Sequence, residues 1–448
     1  MNFEMVQLQL ICKKIVSGGT PKSTNSDFYH NGTIPWVKTK EVNNNRIYVS
    51  ENYITELGLK NSSAKIIPAN SVIIAMYGNG DTAGRVAINK IPVSTNQACC
   101  NLIIDSSKAD YRYVFYFLRT QYQRLVDLKN GGAQQNLNAK TIKEYPFPYA
   151  PLHFQNMVAD ILERLDEKII LNQCINHTLE QMAQALFKSW FVDFEPVKAK
   201  MAVLEAGGSQ EDATLAAMTA ISGKDADALA VFEREYPAQY AELNATAELF
   251  PSAMQDSELG AIPVGWVSET LGAVLEPKKG KNITKKTIEE GDIPVVAGGL
   301  APAYYHSKCN VTGPVITISA SGANAGFVNL YHCDIWASDC SYINKTQTQF
   351  VYCFYTLLKT RQKEITHMQQ GAAQPHVYPK DIMRLVIVAP ITALWQRLEK
   401  ILTSIYEQIG VHLAQNMCLE SLRDTLLPKL LSGEITLPEA EQIISEEA

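Results

Sequence analysis

The chain has 448 residues, 46% apolar and 19% charged, with a net charge of −6, an ordinary globular composition with material for about two to four domains. Its nine cysteines are scattered without a Cys-x-x-Cys, which argues against a zinc site and against a secreted disulfide framework. No charged-then-apolar leader opens the sequence and no apolar run is long enough to span a bilayer, so the chain is expected to be cytoplasmic, with no membrane partner.

The charge is unevenly divided. Residues 1–150 carry 17 Lys and Arg against 10 Asp and Glu, residues 151–199 carry 4 against 7, and residues 200–259 carry 3 against 11. Residues 260–390 carry 12 against 9, and residues 391–448 carry 4 against 9. Positive charge is confined to two separated blocks, and basic blocks attract phosphate.

Residues 1–150 read as a mixed α/β domain. Gly18-Gly19-Thr20-Pro21 is a turn, followed by a strand-like Ile34–Lys40. Ser71–Met76 has the pattern of a buried strand running into the loop Gly78–Gly84, and Arg85–Ile88 resumes an extended pattern. An aromatic-faced helix is predicted over Tyr111–Leu128, ahead of the run Gly131-Gly132-Ala133-Gln134-Gln135-Asn136.

Residues 151–199 hold a long helix, Leu152–Trp190. Val158, Ile161, Leu165, Ile175, Leu179, Met182 and Leu186 recur at steps of three and four, the spacing of a helix that buries one stripe against another helix. Lys168 and Asn172 interrupt the stripe. Residues 200–259, alanine-rich and acidic, read as an inserted helical linker with pieces around Ala213–Ile221 and Ala228–Glu235 and breakers at Gly207-Gly208, Gly223 and Pro237.

Residues 260–390 repeat the first plan. Ile293-Pro294-Val295-Val296 stands where Ile34-Pro35-Trp36-Val37 stood, and Pro314–Ile318 runs into Ser319–Gly326. An aromatic helix starts again at Tyr352, and Gly371-Ala372-Ala373-Gln374 matches Gly131–Gln134. In residues 391–448, Leu398, Ile401, Ile405, Leu419, Leu422 and Leu426 lie 240 positions beyond Val158, Ile161, Leu165, Leu179, Met182 and Leu186, and the interruption recurs as Gln408 and His412. The fold class expected is α+β: two similar mixed α/β domains separated by two long helices that form an antiparallel coiled coil, in a pseudo-twofold duplicated architecture. An antiparallel pair would set Val158 near Leu426 and Asn172 opposite His412, with a polar layer that fixes register.

At this point the chain resembles the specificity (S) subunits of type I restriction-modification systems. The resemblance rests on Gly18–Pro21, Ile34–Val37, Leu186–Pro196, Asp256–Gly260 leading to Pro263-x-Gly265-Trp266, Ser321–Gly326 and Leu427–Ile435, in order and duplicated over nearly the full length. It implies two target-recognition domains that each read one half of a bipartite double-stranded DNA site, and no chemistry in this chain. It also implies docking of two adenine-N6 methyltransferase (M) subunits that use S-adenosylmethionine, and of two ATP- and Mg-dependent restriction and translocation (R) subunits. A helix of this length spans about 60 Å, enough to hold two reading domains apart on one DNA face. Because the two domain sequences differ outside their framework, two unlike half-sites are expected.

Motifs for catalysis are weak. Gly19-Thr20-Pro21-Lys22-Ser23 lacks the glycine before lysine of a phosphate loop, and no methyltransferase Asn-Pro-Pro-Tyr-like motif occurs. Asp334 and Asp339 read as turn and strand-end residues, and His332-Cys333 with Cys340 lack a fourth metal ligand. Base readout needs paired donors and acceptors on elements that reach a groove. The candidates are Lys38, Lys40, Asn79, Arg85, Gln134, Gln135 and Asn136 in the first domain, and Lys308, Ser321, Asn324, Gln374 and His376 in the second. Gly84 and Gly326, matched in both copies, read as framework turns. The competing hypotheses are a coiled-coil scaffold that binds proteins without touching DNA, and a self-sufficient enzyme. Two basic domains favour DNA reading.

Overall fold

The computed structural model describes residues 3–78, 82–128, 136–370 and 375–447. The chain forms two compact units, one of residues 1–172 with 414–448 and the other of residues 173–413. Each unit therefore takes one half of each long helix, Leu152–Phe191 and Thr392–Ser432.

The first unit is built on a five-stranded sheet. Its strands are β1 (Cys12–Ser17), β2 (Asn45–Ile47), β3 (Ser71–Ala75), β4 (Val86–Asn89) and β5 (Cys99–Ile104), in the order β1-β5-β3-β4-β2. β3 is buried along its whole length, as the uninterrupted apolar run requires of a strand covered on both faces. A second sheet places Ile34–Val37 between Tyr53–Ile54, antiparallel, and Ser94–Thr95, parallel. The expected strand over Ile34–Lys40 stops at Val37, where Thr39–Glu41 turns as a 3-10 helix with Glu41 accepting from the Lys38 amide at 2.9 Å. The expected helix over Tyr111–Leu128 breaks at Gln121 into Tyr111–Thr120 and Tyr122–Asp127. Tyr113 to Leu118 are all buried in one core with Val158, Leu162 and Leu165 of the first long helix and Leu419, Leu422 and Leu426 of the second.

The second unit repeats the plan with β6 (Lys278–Lys279), β7 (Val315–Ser319), β8 (Val328–Tyr331) and β9 (Cys340–Asn344), in the order β6-β9-β7-β8. Its three-stranded sheet puts Ile293–Val296 between Tyr304–His306 and Trp336–Ala337. The helix Val351–Thr360 packs with Ala183 and Phe187 of the first long helix and Leu394, Leu398 and Leu402 of the second. Residues 195–248 form four short helices rather than two, Glu195–Glu205, Gln210–Ser222, Ala226–Glu235 and Pro237–Glu248. Pro237 opens the last of these instead of breaking a helix, because the first helical position needs no amide donor. Glu242 fastens this insertion to the second long helix through Arg397 (3.1 Å) and Lys400 (2.5 Å).

The long helices run antiparallel within each unit, with the register moved by four residues from the one expected. Asn172 donates to Asn416 Oδ1 and Gln415 Oε1, both at 2.9 Å, in the first unit. In the second unit His412 Nδ1 meets Asn176 Oδ1 at 2.7 Å. Asn172 thus faces Asn416 rather than His412. The buried seam is Val158, Leu162, Leu165, Ile169 and Asn172 on the first helix and Leu398, Leu402, Ile409, Asn416 and Leu419 on the second. Lys168 is exposed and stays outside the polar layer, whereas Gln408, also exposed, joins its rim by hydrogen-bonding His412 Nε2 at 2.8 Å. Met182 (55% exposed) and Ile401 (39%) also lie off the seam, although their 240-residue counterparts Leu422 and Ile161 are buried. Ile175 is exposed as well. A three-four repeat has two interleaved settings, and position 161 belongs to the flank, buried only where a domain covers it.

Candidate nucleic-acid interface

In each unit the strand ends gather four chain segments through matching backbone bonds. The Gly18 amide donates to the Cys99 carbonyl at 3.1 Å, as Gly280 does to Cys340 at 2.8 Å. Gly19 donates to Thr95 at 2.8 Å, as Lys281 does to Ala337 at 2.9 Å. The amide of Asn96 reaches Val37 at 3.0 Å, and that of Ser338 reaches Val296 at 2.8 Å. Met76 donates to Ala98 and receives Leu137 (2.8 and 2.9 Å), just as Ala320 donates to Asp339 and receives Val377 (3.2 and 3.0 Å). The loop after the edge strand, the turn before β5 or β9, the exit of β3 or β7, and the segment past the small-residue run are thereby fixed side by side.

Gly18 and Gly280 hold the closest approach. A Cβ at Gly18 would lie 2.1 Å from the Asn96 carbonyl oxygen, and one at Gly280 would lie 2.3 Å from that of Ser338. Only glycine lets the loop reach the neighbouring turn this closely.

The side chains on this shared frame differ. In the first unit Gln97 fills the turn, accepting from the Thr20 hydroxyl and hydrogen-bonding the Tyr77 hydroxyl. In the second, Asp339 stands there and accepts from the Ser321 hydroxyl. His376 bridges both Ser321 and Gln370 through the backbone and stacks on Tyr378 with ring centroids 5.8 Å apart. Lys380 lies 5.5 Å over the Tyr378 ring. The structure therefore brings Ser321, Asn324 and His376 of the sequence candidates into one cluster, with Asn324 half-buried in the turn that closes on Phe327.

The other candidates fare differently. Lys38 is half-buried, donating to Asn52 Oδ1 at 2.9 Å with its ammonium 5.0 Å from the Trp36 ring. Lys40 is exposed and paired with Glu51. Arg85 binds the Asn43 side chain, two residues past the turn that carries Lys40. Lys308 pairs with Glu289 at 3.1 Å. Asn136 is half-buried directly before Leu137. Asn79, Gln134, Gln135 and Gln374 lie outside the described residues.

Two features escaped the sequence pattern. Gln97 and Asp339 sit in strand-connecting turns with no repeat signal of their own. Lys278, Lys279, Lys281, Lys285 and Lys286 are all exposed on and after the edge strand β6, and this lysine run was the available signal. It went unmatched because Gly280 aligns with Gly18 at a spacing of 262, not 240 to 242. Of the residues weighed as metal ligands, Cys340 is buried, its thiol pushed up to about 12 by desolvation and held 3.8 Å from the Val296 carbonyl. Asp334 accepts from the Gly313 amide at 3.0 Å.

In each unit the domain is seated on the long helices by polar contacts. In the first unit Asp166 accepts from Arg46 (2.9 Å), Arg423 (2.8 Å) and the Tyr116 hydroxyl (2.8 Å). Burial works against ionisation of Asp166, yet the two guanidiniums hold its carboxyl below the usual range. In the second unit Glu399 caps Val351–Thr360 by accepting from the amides of Tyr352 (3.1 Å) and Cys353 (2.8 Å), and Tyr355 donates to Glu180 at 3.0 Å. Burial pushes the Glu399 carboxyl up. Neither seat was visible in the sequence, since its partners are more than 40 residues apart.

Comparison with known proteins gives a consistent picture. The family model for the type I restriction modification DNA specificity domain matches residues 1–181 and 263–419, leaving the whole helical insertion outside. The type I restriction enzyme MjaIX specificity subunit of Methanocaldococcus jannaschii is 28% identical over 95% of this chain and 92% of its own length. The HindI specificity subunit of Haemophilus influenzae is 30% identical over 70% of this chain and 74% of its own. The fold is shared with the crystal structure of a type I restriction-modification S subunit from M. genitalium, with a TM-score of 0.52, 18% identity and 96% of each chain covered.

Proposed function

We propose that this chain, which belongs to the type I restriction modification DNA specificity family, is the non-catalytic DNA-reading subunit of a restriction-modification assembly. Each domain reads one half of a bipartite duplex site through the cluster at its strand ends. Two methyltransferase subunits using S-adenosylmethionine and two restriction subunits using ATP and Mg supply the chemistry, in the cytoplasm.

The observation that carries this reading is the pairing of one backbone frame with two sets of side chains. Matching amide bonds place the same four segments together in both units. A duplicated frame suits one kind of ligand met twice. Unlike side chains upon it, Gln97 with Tyr77 against Asp339 with Ser321 and His376, suit two different base sequences.

The test is a genome-wide map of N6-methyladenine in the source cells with and without this chain, with expression of the methyltransferase verified. Loss of methylation at one split motif with unlike halves is expected. An unchanged map alongside an active methyltransferase would sink DNA reading and leave a protein scaffold as the account.

A further inference from the structure

The two reading surfaces differ most in how they carry positive charge. Strand register pairs Lys279 with Ser341, one residue beyond Cys340, and Ser17 with Cys100, one beyond Cys99. The loops from Ser17 and from Lys279 are therefore equivalent. From Val16 to Lys22 the first loop holds a single lysine, Lys22, whereas Lys278–Lys286 holds five. All five are exposed, and among the described residues none makes an ion pair. Lys308, by contrast, is held by Glu289, and Lys40 by Glu51.

The loop that carries them is anchored rather than loose in its path. Its Lys281 carbonyl accepts from Trp336 Nε1 at 2.8 Å, and the Ile283 amide donates to the Ser338 hydroxyl at 3.4 Å. Ser338 directly precedes Asp339, the centre of the second cluster. The backbone is thus pinned beside that cluster while the ammonium groups stay free. Lysine is a compact, hydrated point charge, suited to a phosphate chain and poorly suited to telling bases apart. Directly opposing carboxylates are lacking on the loop until Glu289.

Resting on the DNA-reading function above, we infer that Lys278–Lys286 is a phosphate-holding element for the half-site read by the second domain, with no counterpart of similar charge in the first. At this loop, backbone grip is then unequal between the halves. The second domain sets sequence-independent charge directly beside its small base-reading cluster, whereas the first domain's positive charge, 17 Lys and Arg against 10 Asp and Glu over residues 1–150, lies elsewhere apart from Lys22.

The experiment uses the full chain with its methyltransferase and a duplex bearing the motif found in the methylation map. Affinity is measured by fluorescence anisotropy at several salt concentrations for the wild type, the triple variant Lys281→Gln, Lys285→Gln, Lys286→Gln, and Lys22→Gln. Each phosphate contact contributes about 0.9 to the slope of log affinity against log salt, so the triple variant should be shallower by about 2.7. Between 50 and 200 mM salt the wild type then loses on the order of 40-fold more affinity than the triple variant. Lys22→Gln should shift the slope by at most about 0.9, and the methylated motif should stay the same in both variants. An unchanged slope in the triple variant, with salt-dependent wild-type binding, overturns the phosphate role and leaves DNA reading standing. A changed second half-motif overturns it too, by making the segment a base reader. Wild-type protein that fails to bind the duplex removes the DNA-reading function itself.

Discussion

Replacing Asp166 by Asn tests how the first domain is seated. Arg46 and Arg423 have side chains only 4% and 9% exposed, and both ion-pair with this carboxylate, at 2.9 and 2.8 Å. Tyr116 donates to the same oxygen as Arg46, and Arg119, whose own charge is disfavoured first by burial and then by Arg423, lies nearby. Asn keeps the size and one acceptor but removes the one charge that both guanidiniums share, leaving Arg46 with Glu163 at 3.5 Å and Arg423 with the more exposed Asp424 at 2.8 Å. Breaking a buried pair from one side costs about 3–5 kcal/mol, because the remaining charge stays desolvated. Hydrogen exchange read residue by residue is the suitable assay, since the second unit serves as an internal control. Amides of β2 and β3 should lose protection by roughly 100- to 1,000-fold, while those of β7 and β9 hold theirs. The folded carboxyl lies below its usual range, so its contribution is present above the unfolded pKa of about 3.9 and fades only as pH falls through the folded value. The wild type should therefore show no such loss between pH 5 and 8. Protection within threefold of wild type in Asp166→Asn would refute the reasoning, since it would mean that water already relieves the two arginines.

Three further outcomes are expected. His332 packs against Gly410 of the second long helix, where a Cβ would lie 2.9 Å from its ring, and burial lowers its pKa from 6.5 to about 4. The unfolded chain then takes up the proton first, so the second unit should lose up to about 3 kcal/mol as pH falls from about 6.5 to 4. Thermal unfolding of His332→Phe should show a flatter pH profile over that window, and an equal profile would exclude this histidine as the source. Asn172→Leu alone should cost about 1–3 kcal/mol by leaving Asn416 without its donor. Adding Asn416→Leu should recover most of that loss in urea unfolding, since Asn172 Oδ1 already lacks a partner; a double variant worse than the single would show that the polar pair is a net stabiliser. Gly280→Ala, with its Cβ 2.3 Å from the Ser338 carbonyl oxygen, should push the loop off its turn and weaken duplex affinity at least as much as loss of the lysines. Unchanged affinity would show that the loop's position is irrelevant to binding.

How much of this was legible in the sequence depends on the range of the interaction. The long helices, the duplication and the strand cores follow from periodicity, a local property: β3 is buried throughout because Ser71–Ala75 has no outward-facing polar position to spare. Register is not local. The 240-residue repeat fixes which positions correspond but leaves two interleaved three-four settings, and the hydrogen bonds of Asn172 with Asn416 and of Asn176 with His412 choose between them. Met182 and Ile401 show the same limit, since their apolar character says nothing about whether a domain covers them. At the candidate site the glycine-rich loops were readable as turns, and Ser321 and His376 were readable as polar candidates, but their pairing through the backbone was not. Lys38 was not readable, because a lysine that folds back on Trp36 looks in sequence like any other lysine. The lysines of 278–286 were missed for the opposite reason: they are plain as a charge run, but their meaning comes from β6 aligning with β1, and that equivalence has a spacing the helix repeat does not share. A duplicated protein that reads two different sequences must let its loops drift in length while its frame stays fixed, so the functional positions are the ones a repeat is least able to locate.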